Sequence, residues 1–378
     1  MLKKIFITAL IVFIIALSAL VAKKIFFDDP KGIDSITADQ NGDTSQNKVN
    51  DENAKWVEKL IKLVESGVHG ATLAGSTSQV LYYQNQRFLF VDFNGKTKNS
   101  VGAHPFIDVK SIDWDVKKQK ALIKDRNRYY IYNLNDNSAK ELNENIDVAV
   151  WGAKGSKIIY KYYNPKTRNR VLGMMDPNKD DSEEVIIEDL RYKQINLITS
   201  FKKSKVCLFP SPSAHVKENF ECYDWRNNKK ILEYKGAFGA DYLWSHNGKH
   251  VLASYLQEKG GKRLLIGAAN DKLSEFKGLN FLTSVKKCTW SKDNVHVYCG
   301  MLNGMSDLAI LPDDWNDEKF YSADTFWRIN TIDGKKKRLI DVEKMPVKID
   351  AVDLFLDSSE KYLFFTDRRS GSLYRLAI

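Results

Sequence analysis

The C-terminal stretch Val352-Asp-Leu-Phe-Leu-Asp-Ser-Ser-Glu-Lys-Tyr-Leu-Phe-Phe-Thr-Asp-Arg-Arg-Ser-Gly-Ser-Leu-Tyr-Arg-Leu-Ala-Ile378 reads as three short strands divided by two turns. Residues 352–356 are apolar, 357–360 are turn-like, 361–366 are β-branched and aromatic, 368–371 make a second turn, and 372–378 form a third run. Nothing in the stretch has catalytic character. It reads as one unit of a repeat, and the other copies decide the fold.

Phe355 and Tyr362, read as a strand anchor and the start of the next strand, lie seven residues apart. The same offset links Leu73 to Val80, Trp114 to Ala121, Trp151 to Ile158, Thr199 to Val206, Trp244 to Val251 and Trp290 to Val297. Polar turns such as Asn247-Gly248-Lys249 and Lys292-Asp293-Asn294 separate the partners. Successive anchors are 41, 37, 48, 45, 46 and 65 residues apart. Four-stranded blades recur at roughly 40–50 residues, and the one long step marks an insertion. The pattern predicts an all-β, seven-bladed β-propeller over residues 56–378.

The last unit stops after its third strand and leaves a vacancy. The segment Glu58-Lys-Leu-Ile-Lys-Leu-Val-Glu-Ser-Gly-Val-His-Gly-Ala-Thr-Leu73 parallels Lys337-Arg-Leu-Ile-Asp-Val-Glu-Lys-Met-Pro-Val-Lys-Ile-Asp-Ala-Val352. The latter is an outer strand followed by the inner strand of the next blade. Residues 59–65 are therefore expected as an outer strand that fills the vacancy, in preference to the short amphipathic helix that residues 56–65 could also form.

The insertion spans residues 301–325 and interleaves acids with aromatics. Asp313, Asp314, Trp315, Asp317, Glu318, Phe320 and Tyr321 are the candidate partner- or cation-binding loop, because function concentrates on loops carried by rigid scaffolds. The bland alternative packs Trp315, Phe320 and Tyr321 on the blade and leaves the acids in water.

Residues 5–22 are apolar apart from Thr8 and Ser18, long enough for a membrane-spanning helix and too long for a typical secretory core. Leu20-Val21-Ala22 is a poor cleavage site, so residues 1–25 are expected as an uncleaved signal-anchor. Lysines flank both ends, so charge alone does not orient it. Residues 26–55 are polar and acidic, a disordered tether. Asp39-Gln-Asn41-Gly-Asp43 begins like a calcium loop but lacks the later Glu ligand, so no metal is expected. The net charge of +10 falls on the folded region and favours acidic partners.

Cys288 lies two residues before Trp290, and Cys299 two after Val297, so a hairpin pairing 290 with 297 sets the two cysteines opposite each other. Cys207 and Cys222 sit on the second and third strands of the fourth unit. Facing positions on neighbouring strands suit a disulfide, and two bridges imply an oxidising compartment. A zinc site built from all four lacks close C-x-x-C spacing.

The six histidines are scattered, with no H-E-x-x-H and no G-x-S-x-G. The glycine pairs lack a phosphate-binding strand–loop–helix setting. The aromatics lack the platform pattern of a single-strand nucleic-acid binder. No catalytic residue and no cofactor is expected.

Lys59-Leu-Ile-Lys-Leu-Val-Glu-Ser-Gly-Val-His-Gly-Ala-Thr72, Lys287-Cys-Thr-Trp-Ser-Lys-Asp293 with Val297-Tyr-Cys299, and Leu311-Pro-Asp-Asp-Trp315 leading to Asp324-Thr-Phe-Trp327 together carry a resemblance. With these features the chain resembles the membrane-anchored, WD40-like (TolB-like) β-propellers of the bacterial cell envelope, of the candidate-phylum type. It departs from the WD40 signature, since no blade ends in Trp-Asp after a Gly-His start. The resemblance implies a propeller fold and placement in the envelope, and it supplies no reaction. The expected function is a non-enzymatic, membrane-tethered scaffold on the extracytoplasmic side of the cytoplasmic membrane. Its expected partner is an envelope protein or anionic polymer and not nucleic acid. The alternatives are an enzyme, a lyase or hydrolase, at the channel mouth, and a purely structural envelope component.

Overall fold

A computed structural model describes residues 59–378, except 76–77, 97, 153–154, 180–181, 201–203, 306–307, 341–344 and 346. The expected anchor and tether, residues 1–25 and 26–55, lie outside the described residues. Among the described residues no helix is long and apolar enough to cross a membrane.

Strand β1 (Leu60–Val64) is followed by a meander of β2 (His69–Leu73), β3 (Gln79–Gln84), β4 (Arg87–Asp92) and β5 (Lys98–Ala103). A second meander comprises β6 (Val109–Trp114), β7 (Lys120–Asp125), β8 (Arg128–Asn133) and β9 (Ser138–Glu141). The third comprises β10 (Ile146–Trp151), β11 (Ile158–Tyr163), β12 (Arg170–Met175) and β13 (Glu184–Ile187). Then comes one seven-stranded sheet. Its strands are β14 (Asn196–Thr199), β15 (Lys205–Phe209), β16 (Lys217–Asp224), β17 (Lys229–Trp244), β18 (His250–Leu256), β19 (Leu265–Asn270) and β20 (Lys277–Leu282). The next sheet holds β21 (Cys288–Trp290), β22 (His296–Met301), β23 (Thr325–Asn330) and β24 (Lys336–Ile340). The last holds β25 (Ala351–Leu356), β26 (Tyr362–Asp367), β27 (Leu373–Ala377) and, from the other end of the chain, β1.

The seven-residue offset is a physical register. Leu73 pairs with Val80, Trp114 with Ala121, Trp151 with Ile158, Thr199 with Val206, Trp244 with Val251 and Trp290 with Val297. The last unit needs a correction: Leu356 pairs with Leu363, and Phe355 faces Phe364 instead of Tyr362. A bulge between Val352 and Phe355, where Asp353 takes φ +53°, adds a residue to the strand and moves the anchor on by one.

A second departure concerns β17. The repeat predicts separate outer and inner strands for the fourth and fifth units, yet β17 runs unbroken from Lys229 to Trp244. Phe238 pairs with Lys217 on one side and Leu256 on the other, and the chain passes between units at Gly239, φ +62°.

The innermost strands meet in cyclic order. β2 packs on β6, β6 on β10, β10 on β14, β14 on β17 and β21 on β25, while β25 returns to β2. A 3₁₀ turn, Val285–Lys287, bridges β17 and β25. The anchor residues staple neighbours together. The indole N–H of Trp114 donates to the Gly70 carbonyl (2.6 Å), that of Trp151 to Asp113 (2.8 Å) and that of Trp290 to Leu243 (3.2 Å). The Thr199 hydroxyl donates to the Trp151 carbonyl at 2.7 Å. Gly70 has no substitute there, because a Cβ would sit 2.4 Å from Ile112.

The β1–β27 pairing closes the cycle, with Leu60 opposite Leu376, Ile61 opposite Arg375 and Lys62 opposite Tyr374. Leu60, Leu63 and Val64 are buried. Val68 N–H donates to Gly371 and the Ser372 hydroxyl to Glu65, so the seam is bonded beyond the ladder. Together these contacts remove two open sheet edges.

Candidate functional site

Two places concentrate polar chemistry: the insertion and the axis of the ring.

The insertion carries a short helix, α1 (Asp313–Asn316), and folds back onto the ring. Trp315 is buried among Ala214, Leu256, Leu264, Leu302 and Leu311. Its N–H donates to Asp350 at 3.2 Å, and the Arg368 guanidinium stacks 4.2 Å from its ring. Asp313 accepts the Ala214 N–H at 2.7 Å, and Asp314 accepts Ile310 N–H while pairing with Lys319 at 2.7 Å. Asp317 pairs with Lys319 as well, at 3.5 Å. Glu318 is exposed at φ +58°, Phe320 packs against the same apolar cluster, and the Arg368 and Arg369 guanidinia lie over the Tyr321 ring. The structure thus holds Trp315 in the core, and Asp313 and Asp314 are committed to local bonds.

Beneath Trp315 lies a buried ion cluster. The Lys287 ammonium contacts Asp324 (2.6 Å) and Asp350, donates to the Ala351 carbonyl (3.1 Å) and sits 5.1 Å from the Trp315 ring. Arg368 pairs with the other side of Asp350 at 3.0 Å. Two cations thus face two carboxylates. Burial pushes Asp324 above the usual carboxylate range despite Lys287. Burial presses Asp350 upward too, but Lys287 and Arg368 together hold it below that range.

The second place is the lumen enclosed by the innermost strands. At the face carrying the turns between first and second strands, a cavity of about 420 Å³ is lined by Lys118, His246, Trp290, Lys292, Phe355 and Glu360, among others. A further cavity of about 360 Å³ is lined by His69, Lys110, Asp113, Lys118 and Asp353. Thr72, Lys118 and Phe355 belong to both walls, so the two spaces adjoin.

Several mouth groups are already committed. His246 Nε2 donates to the Trp290 carbonyl at 3.0 Å. Glu360 accepts the Ser291 hydroxyl (2.9 Å) and the Lys292 N–H (2.6 Å), and Asp357 accepts the Tyr362 N–H at 2.6 Å. Deeper in the lumen, Asp113, Asp353 and the Lys118 ammonium make no salt bridge among the described residues. Water reaches both carboxylates, yet protein walls surround them, and that enclosure disfavours their charge. Burial raises Asp113, opposed by the amides of Trp151 and Trp114 and by Lys118, and burial raises Asp353 against Lys286. Lys118 and His69 are lowered by the same cause, with Asp113 and Asp115 opposing it for Lys118 and Asp108 for His69.

Of the remaining histidines, His104 packs at a tilt against Phe106, ring centroids 4.3 Å apart, and His296 is bonded to Asp293 at 2.6 Å. Both cysteine pairs face each other in register, Cys207 with Cys222 and Cys288 with Cys299, and both are bridged. The lumen residues went unnoticed in the sequence. Their signal is weak: His69, Asp113 and Asp353 are polar residues on innermost strands that carry other polar residues as well, such as Lys110, Asp147 and Asp241.

No protein-family model matches the chain, and no curated protein matches it. Among solved structures it is similar to an oligogalacturonate lyase in complex with manganese, at 12% identity, covering 84% of this chain and 93% of that one, with a TM-score of 0.56. An oligogalacturonate lyase from Vibrio parahaemolyticus gives 11% identity, the same coverages and a TM-score of 0.58. The Cps50 (Swd1) β-propeller domain of Myceliophteria thermophila gives 8% identity, covering 84% of this chain and 99% of that one, with a TM-score of 0.56. At such identities the likeness is one of fold: the chain is an all-β protein of the β-propeller class. Those relatives include both an enzyme and a propeller domain named without an activity, so fold alone assigns no reaction. Among the described residues no group of three or more His, Cys, Asp or Glu is placed to hold a metal ion.

Proposed function

We propose that the protein is a non-enzymatic binding module, a seven-bladed propeller whose recognition site is the lumen opening on the turn face. The count of seven treats β14–β17 and β17–β20 as two blades sharing one strand. This reading moves the binding site away from the 301–325 insertion, whose Trp315 is committed to the core. The observation that carries it is the adjoining pair of cavities, lined by Lys118, Asp113 and Asp353, which make no salt bridge among the described residues. These groups line the cavity walls within reach of water, so a ligand entering the lumen can meet them directly. Placement outside the cytoplasmic membrane, by an N-terminal signal-anchor and in the TolB-like manner, belongs to the same proposal. The two disulfides support it, since such bridges persist in oxidising compartments. An envelope protein or an anionic polymer is the partner class that suits a basic domain.

A photo-crosslinking residue at Thr289, in the mouth, should capture a specific adduct in native membranes, while one at the exposed Ile332 on another surface should not. Equal capture at both positions, or none at Thr289, removes the lumen as the binding site.

A second reading, catalysis, draws on one observation: His69 shares the deeper cavity with Asp113 and Asp353. Burial holds His69 toward its neutral form and the carboxyls toward their protonated forms, which suits acid–base work. A turnover that His69→Ala abolishes would establish it.

A further inference from the structure

The charges along the lumen have an order. Lys292 stands at the mouth, Lys118 at the junction of the two cavities, and Asp113 and Asp353 line the deeper one. The mouth carboxylates of Asp357 and Glu360 are occupied by turn amides and hydroxyls, which leaves cations as the uncommitted charge at that level. Lys292 itself donates to the Ser358 carbonyl, so Lys118 is the cation there without a hydrogen-bond acceptor for its ammonium among the described residues. Deeper in, Lys110 already pairs with Asp108 at 2.8 Å, and Lys286 donates to Asn316 at 3.1 Å. Asp113, which the amides of Trp151 and Trp114 also reach, and Asp353 are therefore the carboxylates at that level without a salt bridge among the described residues.

A purely anionic ligand would meet Lys118 but bring its charge toward Asp113 and Asp353. A purely cationic one would satisfy the carboxylates and leave the Lys118 ammonium without an acceptor among the described residues. A ligand carrying both signs meets these groups at once, through charge-assisted hydrogen bonds at each end. Resting on the lumen reading above, we propose that the lumen takes a zwitterionic ligand bearing an ammonium and a carboxylate, as a free amino acid or a short unblocked peptide does. The ammonium lies inward, against Asp113 and Asp353, and the carboxylate lies at Lys118.

The test is calorimetric titration of the full chain in detergent with triglycine, N-acetyltriglycine, triglycine amide and glycine. Triglycine should bind, and blocking either end should weaken binding at least tenfold. Asp113→Asn with Asp353→Asn should weaken triglycine at least tenfold and leave N-acetyltriglycine unchanged. Lys118→Met should weaken triglycine similarly and leave triglycine amide unchanged. Glycine binding as tightly as triglycine identifies the free amino acid as the source, and tighter triglycine identifies the peptide. Both results uphold the shared chemistry. Blocked peptides that bind as well as triglycine, or no binding of triglycine at millimolar concentration, overturn the proposal. Polyphosphate, a simple anionic polymer, separates the two claims: binding that is lost in Lys118→Met, without triglycine binding, keeps the lumen as a site and rejects the zwitterion. A thermal melt of each variant confirms that it is folded.

Discussion

Replacing Lys287 with Met probes how the insertion is fastened. Lys287 is fully buried and, among the described residues, supplies the sole cation on Asp324, whose second oxygen has no hydrogen-bond partner there. Asp350 keeps Arg368, but Asp324 would keep no cation among the described residues, only neutral donors such as the Ala351 N–H at 2.8 Å. Removing one partner of a buried pair costs about 3–5 kcal/mol, because an uncompensated charge remains. Met fills the aliphatic volume, so the loss is electrostatic in origin. Asp324 already lies above the usual carboxylate range through burial, and losing Lys287 drives it higher. A carboxyl raised in the folded state favours folding below the unfolded carboxylate value and loses that contribution as pH rises through the folded one. The penalty of Lys287→Met should therefore be largest at neutral pH and shrink on acidification toward pH 4. Guanidinium unfolding, followed by the fluorescence of the eight tryptophans, measures it. Adding Asp324→Asn should recover more than half of the loss, and proteolysis should cut the 301–325 insertion faster in the single variant than in the double. A single variant within about 1 kcal/mol of the parent at pH 7 would refute the reasoning, as would a double variant no better than the single.

Two further predictions concern the blades. Trp151→Phe keeps an aromatic side chain but removes the N–H that reaches the Asp113 carbonyl, together with part of the buried indole, and it should cost at least about 1–2 kcal/mol in the same unfolding experiment; an unchanged midpoint denies that the anchors staple neighbouring blades. Burial presses Asp293 upward, but the amides of His296 and Val295 and the His296 ring bring it down to about 2. Its contribution is thus present above the unfolded carboxylate value near 4 and lost as pH falls from there toward 2, by about 1 kcal/mol after solvent screening of a half-exposed group. Asp293→Asn should flatten that segment of the stability–pH curve, and a parallel curve would contradict the assignment.

The blade repeat was legible because it rests on local chemistry. A polar turn of fixed length between two apolar strands forces the offset of seven, and six of the seven pairings follow it. The cysteine bridges were legible for the same reason, as consequences of register. Phe355 misled because a bulge at Asp353 cannot be seen in an apolar pattern. The continuity of β17 was hidden by Gly236 and Gly239, which read as a break and serve as a bend. The fate of Trp315 depends on Lys287, Asp350 and Arg368, partners 28, 35 and 53 residues away that only the closed ring brings together. The lumen is a product of closure itself: His69, Asp113, Lys118 and Asp353 come from three units, and each alone resembles an ordinary polar residue at a strand edge.

Ring closure is the condition for the lumen, and one measurement addresses it directly. Lys62 and Tyr374 face each other across β1 and β27, 312 residues apart in the chain. In the double variant Lys62→Cys/Tyr374→Cys, expressed under oxidising conditions, peptide mapping by mass spectrometry should find residue 62 bridged to residue 374 alongside the two native disulfides. A control pairing Lys62→Cys with Lys361→Cys should stay unbridged, since residue 361 precedes β26 and does not face β1. Free thiols at both 62 and 374, with the native bridges intact, would mean that the first strand does not close the ring.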